Sequence, residues 1–305
     1  MWRIVEQADT ALRKLDPGGG VEPLLPPDLD RARFLESPEP VYDCAMLIER
    51  YRERTGGRQP PLVVLIDEFQ YIDQWIREGR LSPSFMQAFK ALIERRLFHL
   101  VIVGQDALDR LIQADPNVFG VFAIERVTYL ADSDARRLIV EPIWIGGAEK
   151  QISRYQERAV DRILELTGGS AFYIQRFCYQ LVNYMNAEHA PVVTEADIER
   201  VRDEFISGLG ANDFDNLESP GYTDPEFTPQ DYQQVLLAIA RASRHQAATI
   251  AAIRAEYQGP RLDEILADLV LRDVIRRDAG SYRIVVRIYQ DWLLQHFGEK
   301  SGGRG

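Results

Sequence analysis

Residues 61–70 read Pro-Leu-Val-Val-Leu-Ile-Asp-Glu-Phe-Gln, so five consecutive aliphatic residues run directly into two acids. A continuous apolar run rich in β-branched residues is typical of a strand that is buried on both faces, as in a parallel sheet. A second such run, residues 100–104, follows a predicted helix. Strands joined by a helix in this way lie parallel and end at the same edge of their sheet. The sequence therefore predicts an α/β fold in which Asp67, Glu68 and Gln105 lie together in the crevice where such sheets bind ligands.

The composition limits the possible function classes. The chain has 305 residues, 46% of them hydrophobic, which is enough for a sizeable core in about two domains. Its 36 basic residues against 47 acids give a net charge of −11, so it lacks the broad basic field that supports non-specific nucleic-acid binding.

Cysteine, histidine and hydropathy patterns exclude further classes. Cys44 and Cys178 are too few for a disulfide scaffold or a thiolate zinc site, and the four histidines have no metal-binding spacing. No apolar run is long enough to cross a bilayer, and the first residues do not resemble a signal peptide. We therefore expect a soluble, cytoplasmic protein with no membrane partner.

The Asp-Glu pair at the end of the first strand suits nucleotide hydrolysis. An Asp in this position holds a magnesium ion that bridges phosphate oxygens, and the Glu beside it polarises the attacking water. Gln105, at the tip of the next strand, is placed to hydrogen-bond that water or the terminal phosphate. The alternative is that Asp67 and Glu68 only cap the helix that follows the strand. The polar residue at the tip of the adjacent strand favours the nucleotide site.

The remaining pattern predicts a helical middle and a compact end. A third strand is predicted at residues 123–130, and helices extend from 152 to 189 with a sharp turn at the Thr-Gly-Gly-Ser of 167–170. Three helices between residues 229 and 272 then precede two short strands around an Asp-Ala-Gly-Ser turn. Three helices followed by such a hairpin are typical of a winged helix.

Five segments together resemble AAA+ and STAND-type P-loop ATPases. Residues 63–70 look like the Walker B segment of these ATPases, and residues 101–105 look like their sensor 1 strand. Residues 127–142 are similar to the start of their lid, residues 166–175 to the glycine-pair motif of the lid, and the tail through Trp292 to their winged helix. The order and spacing of the five segments carry the resemblance.

This resemblance implies a fold class and a division of the chain. The expected fold is α/β, an incomplete P-loop NTPase (ASCE-type) parallel sheet with a helical lid and a C-terminal winged helix. The expected parts are a partial nucleotide-binding core with the Walker B and sensor 1 strands (1–142), a helical lid (143–207), a linker (208–228), a winged helix (229–297) and a tail (298–305).

The sequence departs from the family pattern at two places. No GxxxxGK[ST] phosphate loop precedes Asp67. In the family's sheet, the strand that leads into this loop lies between the sensor 1 strand and the strand that corresponds to residues 123–130, so a gap is expected there. After the glycine pair the chain has Ser170-Ala171 where relatives often have His-Pro or a basic sensor residue, and Arg176, the nearest cation, becomes the candidate for contact with the nucleotide.

The function that follows is an ATP-dependent conformational switch. ATP and Mg²⁺ are its expected cofactors once a phosphate loop completes the site, with Asp67 as metal ligand and Glu68 and Gln105 as catalytic residues. The loop is expected from an upstream ATPase segment or a protein partner. The alternative is an inactive adaptor or regulator that uses its winged helix for protein or DNA contacts. DNA is the less favoured partner, because the third helix of the winged helix is predicted to expose acids in residues 263–268.

Overall fold

The structure is a computed structural model whose described residues fall into ten ranges: 2–15, 23–26, 29–37, 39–54, 62–105, 107–114, 116–146, 151–218, 227–243 and 247–298. Contacts divide the chain into two compact units, Met1–Ala123 and Ile124–Gly305. Among the residues that the structure describes, every helix is too short or too polar to cross a membrane.

The first unit contains helices around a small sheet. Its elements are α1 (Trp2–Leu15), α2 (Arg31–Leu35), α3 (Pro40–Arg54), β1 (Val63–Ile66), α4 (Gln70–Arg77), α5 (Ser84–Glu94), β2 (His99–Ile102), α6 (Ala107–Ala114) and α7 (Pro116–Phe119). The strand, helix, strand order predicted from the sequence is therefore confirmed.

The two described strands of this unit pair in parallel, as the crossover predicts. Val63 lies opposite His99, and the register continues through Ile66 and Ile102. Beyond the strands, the Val103 N–H donates to the Ile66 carbonyl at 2.8 Å. These hydrogen bonds therefore hold the two strands together up to the residues that follow each of them.

Burial of the sheet is one-sided, so the prediction of strands buried on both faces was wrong. Val64, on one face, is 7% exposed and packs into the hydrophobic core of the unit. Val63, Leu65, Val101 and Val103, on the other, are 50%, 72%, 42% and 48% exposed. An apolar sequence indicates only that a strand can be buried. Whether both faces are buried depends on elements that come from elsewhere in the fold.

The third strand predicted at residues 123–130 was also wrong, since this fully described segment contains no strand. Val127 is 99% exposed. The backbone N–H of Leu130 instead donates to the Gly169 carbonyl at 2.9 Å. A strand forms only against a neighbour with available backbone groups, and this segment has no such neighbour among the described strands.

The second unit is mainly helical. Its regular helices and strands are α8 (Asp132–Val140), α9 (Glu157–Thr167), α10 (Ala171–Ala187), α11 (Glu195–Ser207), α12 (Asp215–Glu218), α13 (Pro229–Ala242), β3 (Ala248–Thr249), α14 (Ile250–Glu256), α15 (Leu262–Leu271), β4 (Ile275–Asp278), β5 (Ser281–Ile284) and α16 (Arg287–Phe297). The predicted interruption of the middle helices is confirmed, because Gly168 ends α9 in the left-handed conformation.

The end of this unit combines helices with a small antiparallel sheet. Helices α13, α14 and α15 precede a hairpin of β4 and β5, and β3 pairs with the other side of β5. The buried residues of α15 are Leu262, Ile265, Leu266 and Leu269, at the spacing of one helix face. Three helices followed by a hairpin are thus present as predicted.

The segment predicted to be a linker is packed where the structure describes it. A 3₁₀ turn covers Ala211–Phe214 and leads into α12. Phe214 is fully buried, with its ring centroid 4.7 Å from that of Tyr289 and 5.0 Å from that of Trp292. The polar composition of this segment did not indicate that Phe214 would be buried. Residues 219–226, and the tail after 298, lie outside the described residues, and the five-part division stays a prediction.

Candidate nucleotide site

The candidate catalytic residues of the first unit lie at the carboxyl ends of the paired strands. Asp67 and Glu68 follow β1 directly, and Gln105 follows β2 after a short extension of the ladder. The side chains of all three are exposed. The structure therefore brings Asp67, Glu68 and Gln105 to one edge of the sheet, as the sequence predicts.

Backbone geometry at the end of β1 turns the two acids sharply. The Asp67 Oδ1 atom accepts the N–H of Glu68 at 2.9 Å. Glu68 has a φ of 53°, in the left-handed region that costs an L-residue about 1–2 kcal/mol. The strain is held by the ladder behind it, where the N–H of Phe69 donates to the Val103 carbonyl at 3.0 Å. The peptide that carries Glu68 is thus fixed against β2.

Gln70 connects the two strand ends. Its side chain is only 8% exposed, and its Nε2 group donates a hydrogen bond to the Glu68 carboxylate. Its Oε1 atom accepts the backbone N–H of Gln105 at 3.4 Å. This buried amide orients the Glu68 carboxylate and ties it to the strand that carries Gln105.

Glycine at position 104 allows this close approach. A Cβ atom at Gly104 would lie 2.8 Å from the Gln70 Oε1 atom and 3.4 Å from the Leu108 side chain. Sequence reasoning did not select Gln70 as a site residue, because its position at the start of α4 identifies it only as a helical residue. A polar residue two positions after Glu68, at the first turn of the helix behind the strand, is the signal that was available.

Arg176, the candidate for nucleotide contact, belongs to the second unit and is engaged there. Its guanidinium forms an ion pair with the Asp213 carboxylate and lies 5.4 Å from the ring centroid of Phe172. Burial tends to raise the pKa of Asp213, but the Gly210 N–H and the Arg176 guanidinium hold that pKa below its usual range. Within its unit, Arg176 therefore fixes the segment that precedes α12, and its contact with a nucleotide stays a prediction.

The glycine pair of the second unit forms a tight contact between segments. Gly168 and Gly169 have φ values of 63° and 83°. A Cβ atom at Gly168 would lie 2.5 Å from the carbonyl oxygen of Val285, and one at Gly169 would lie 3.0 Å from the carbonyl oxygen of Leu130. The pair is required here for backbone packing.

The oxygen atoms at the sheet edge can bind magnesium, but the residues there do not form a complete nucleotide site. Mg²⁺ binds through one or two carboxylates together with substrate phosphates, and Asp67 and Gln105 offer the hard oxygen donors this requires. The described residues contain no group of three or more His, Cys, Asp and Glu placed to hold a metal by themselves. Cysteine binds a metal as its thiolate. Burial disfavours this form in the free thiols of Cys44 and Cys178, because it raises the pKa of each to about 11. No phosphate loop precedes Asp67 in the sequence, so these residues do not by themselves cradle phosphates.

The chain is similar in fold to a solved Walker-type ATPase. The Walker-type ATPase PABY2304 of Pyrococcus abyssi matches 95% of this chain over 77% of its own, with 17% identical residues and a TM-score of 0.54. The ORC2 protein of Aeropyrum pernix, solved in ADPNP and ADP complexes, matches 95% of this chain and 75% of its own, with 12% identity and a TM-score of 0.39. No family model matches the sequence, and no curated protein matches it. The similarity to the Pyrococcus ATPase supports a shared fold.

Proposed function

We propose that this chain is part of an AAA+/STAND-like ATPase that hydrolyses ATP as a conformational switch once a phosphate loop completes its site. In this proposal, Asp67 is the magnesium ligand, Glu68 activates water, and Gln105 contacts the water or the terminal phosphate. The bound Mg²⁺ would offset phosphate charge. The ATPase-like fold supports the proposal, and the activity is what it adds.

The arrangement of Glu68 carries the proposal. An acid at the end of a parallel strand is held in a left-handed conformation, and a buried amide fixes its carboxylate. Strained residues of this kind persist only where the surrounding structure determines them, and they concentrate at functional sites. The alternative is that the two acids only cap the following helix. It is less favoured, because α4 begins without a side-chain cap hydrogen bond at Phe69. A carboxylate in this position is suited to accept a proton from an attacking water.

The second unit would supply the moving parts of the switch. Helices α9 to α11 correspond to the proposed lid, and α13 to α16 with the small sheet correspond to the proposed winged helix. The nucleotide state would then change the arrangement of the lid, the winged helix and the core.

The test uses the chain joined to a phosphate-loop segment, with steady-state ATP turnover and titration of a fluorescent ATP analogue as readouts. Glu68→Gln should lower turnover by more than about a hundredfold and keep nucleotide binding. Asp67→Ala should remove the magnesium dependence of binding. Asp73→Ala is the matched control, because Asp73 is a nearby acid on α4 that pairs with Arg77 at 2.6 Å. Turnover retained in Glu68→Gln would contradict the assignment.

A second candidate function is a non-enzymatic adaptor that binds an anionic partner through the hairpin of the second unit. Arg276 and Arg283 lie directly opposite each other across β4 and β5, and both are exposed. Like charges in such a pair destabilise a hairpin. An ion pair between Arg283 and Asp278 at 3.5 Å offsets part of this charge, and an anionic partner would offset more of it. On α15, the exposed acid Asp263 is paired with Arg254 at 2.7 Å.

Nucleotide-independent binding separates this candidate from the ATPase. Fluorescence anisotropy would be measured with a labelled DNA duplex and, separately, with a labelled acidic peptide. The adaptor function requires binding to one of them that Arg276→Glu abolishes. The matched control is Arg254→Glu, which reverses a charge on α14 in the same unit. Binding to neither probe would contradict the adaptor function.

A further inference from the structure

Two parts of the second unit share one hydrophobic core. The middle part is α9 to α11, and the terminal part is α13 to α16 with β3 to β5. A single cluster of buried residues includes Ala159 of α9, Leu181 of α10, Leu266 of α15 and Leu293 of α16. Domains that move against each other usually each have a core of their own. The shared core therefore indicates that the middle and terminal parts are not separate domains.

The segment between α11 and α13 is buried against both parts. The ring centroid of Phe214 lies 5.8 Å from that of Tyr173 on α10 and 5.0 Å from that of Trp292 on α16. The Tyr173 hydroxyl donates to the Asp213 carbonyl at 2.8 Å. On the other side, the Trp292 Nε1 group donates to the Leu209 carbonyl at 3.0 Å. One segment, with one fully buried ring, is thus fixed to the middle and the terminal part together.

A buried arginine of the terminal part holds the end of the same segment. The Arg272 side chain is 2% exposed, and its Nη1 atom lies 3.6 Å from the Asp268 carboxylate. Its Nη2 group donates to the Asn216 carbonyl at 2.9 Å and to the Leu217 carbonyl at 3.3 Å. Removing the partners of a buried charge is strongly destabilising. Movement of this segment away from Arg272 is therefore disfavoured.

Side chains also join the two parts directly. Arg202 of α11 pairs with Asp291 of α16 at 3.3 Å, and the Asp291 side chain is only 17% exposed. Arg287, also on α16, lies 3.4 Å from the Glu165 carboxylate of α9. Two helices of the middle part are therefore attached to the same helix of the terminal part.

We propose that the middle and terminal parts form a single rigid body, with Phe214 as its central anchor. The rigidity does not depend on the proposed function, but its consequence for regulation rests on that function. The proposed lid and winged helix would move together, so nucleotide state would not be transmitted by rotation of one against the other. The switch would instead displace the second unit as a whole.

The first experiment measures the distance between the two parts in the full chain without nucleotide. Spin labels are attached through unnatural ketone-bearing residues at positions 179 and 271, which avoids the native thiols. Tyr179 of α10 and Leu271 of α15 are 73% and 47% exposed, so labels there leave the core intact. We expect one narrow distance distribution from pulsed electron paramagnetic resonance, as a rigid body requires.

Removal of the central anchor should loosen the rigid body. Phe214→Ala deletes the ring that contacts both parts, and it should broaden the distance distribution. Phe172→Ala is the matched control, because Phe172 lies on α10 but is 52% exposed, and it should leave the distribution unchanged. The parent distribution tests the proposal even where Phe214→Ala does not fold.

The second experiment follows amide hydrogen exchange in two core variants. Leu181→Ala lies in the middle part and Leu266→Ala in the terminal part, at residues that are 0% and 2% exposed. In one rigid body, each variant should speed exchange of the slowest amides in both parts by more than about thirtyfold. In two separate domains, each variant would affect only its own part.

The outcomes separate this proposal from the proposed function. A broad or two-peaked distribution in the parent chain, or exchange effects confined to the part that carries the substitution, would overturn the rigid body. With the chain joined to a phosphate-loop segment, a change in the distance on addition of ATP and Mg²⁺ would also overturn it, even where ATP is hydrolysed. A narrow, unchanged distance without ATP turnover would support the rigid body and contradict the ATPase function.

Discussion

Replacing Gly168 with alanine tests whether the glycine pair is required for packing in the second unit. Gly168 has a φ of 63°, which costs an alanine about 1–2 kcal/mol. The new Cβ would also lie 2.5 Å from the Val285 carbonyl oxygen and 2.8 Å from the Val285 Cγ1 atom. That carbonyl cannot withdraw easily, because the N–H of Val285 donates to the Val274 carbonyl at 3.0 Å. Overpacking of this kind adds about 1–3 kcal/mol, so we expect a total loss of about 2–5 kcal/mol.

Gly280→Ala provides the matched control within the same unit. Gly280 has a φ of 82°, but a Cβ there would meet no atom within 4 Å. Its substitution should therefore cost only the backbone strain, about 1–2 kcal/mol. Both variants would be measured by urea unfolding followed by circular dichroism, with free energies extrapolated to water. Equal losses for the two variants, or a Gly168→Ala protein as stable as the parent, would refute the close contact with Val285.

Two further predictions concern buried polar groups. Burial raises the pKa of Glu218, whose Oε1 atom accepts hydrogen bonds from the Tyr289 hydroxyl at 2.8 Å and from Gln233 at 3.1 Å. A raised folded-state pKa means that stability is greatest below the ordinary value of 4.5 and falls as pH rises through the folded-state pKa. Glu218→Gln keeps both hydrogen bonds and should flatten the pH dependence of stability in thermal melts. An unchanged pH profile would contradict the assignment of this dependence to Glu218. Gly104→Ala should displace the Gln70 side chain, which would shift the Gln70 side-chain amide resonances in NMR spectra. The free energy of unfolding should fall by less than about 1 kcal/mol.

Local sequence patterns accounted for most of the secondary structure. The aliphatic runs before Asp67 and Gln105 became β1 and β2, and the helix between them made their pairing parallel. The buried stripe of α15 follows helical periodicity and needs no information from the rest of the chain. The Asp-Ala-Gly-Ser turn likewise produced the hairpin of β4 and β5, with Ala279 and Gly280 at positive φ.

The candidate site was predicted only in part. Placement of the acids and of Gln105 at one edge follows from the direction of the strands. The role of Gln70 depends on a hydrogen bond to a residue 35 positions later in the chain, which periodicity does not encode. The engagement of Arg176 depends in the same way on Asp213, 37 positions away.

The sequence by itself determined most of the helices and the two strands before Asp67 and Gln105, because backbone propensity, side-chain alternation and turn residues act over a few neighbours. Tertiary structure alone decided what covers each element. The run from Val63 to Ile66 is apolar enough for burial on both faces, yet one face is open because no described element packs on it. Residues 123–130 have the composition of a strand but form none, since a strand requires a partner. Phe214, in a segment that reads as a linker, is fully buried because Tyr289 and Trp292, distant in sequence, surround its ring.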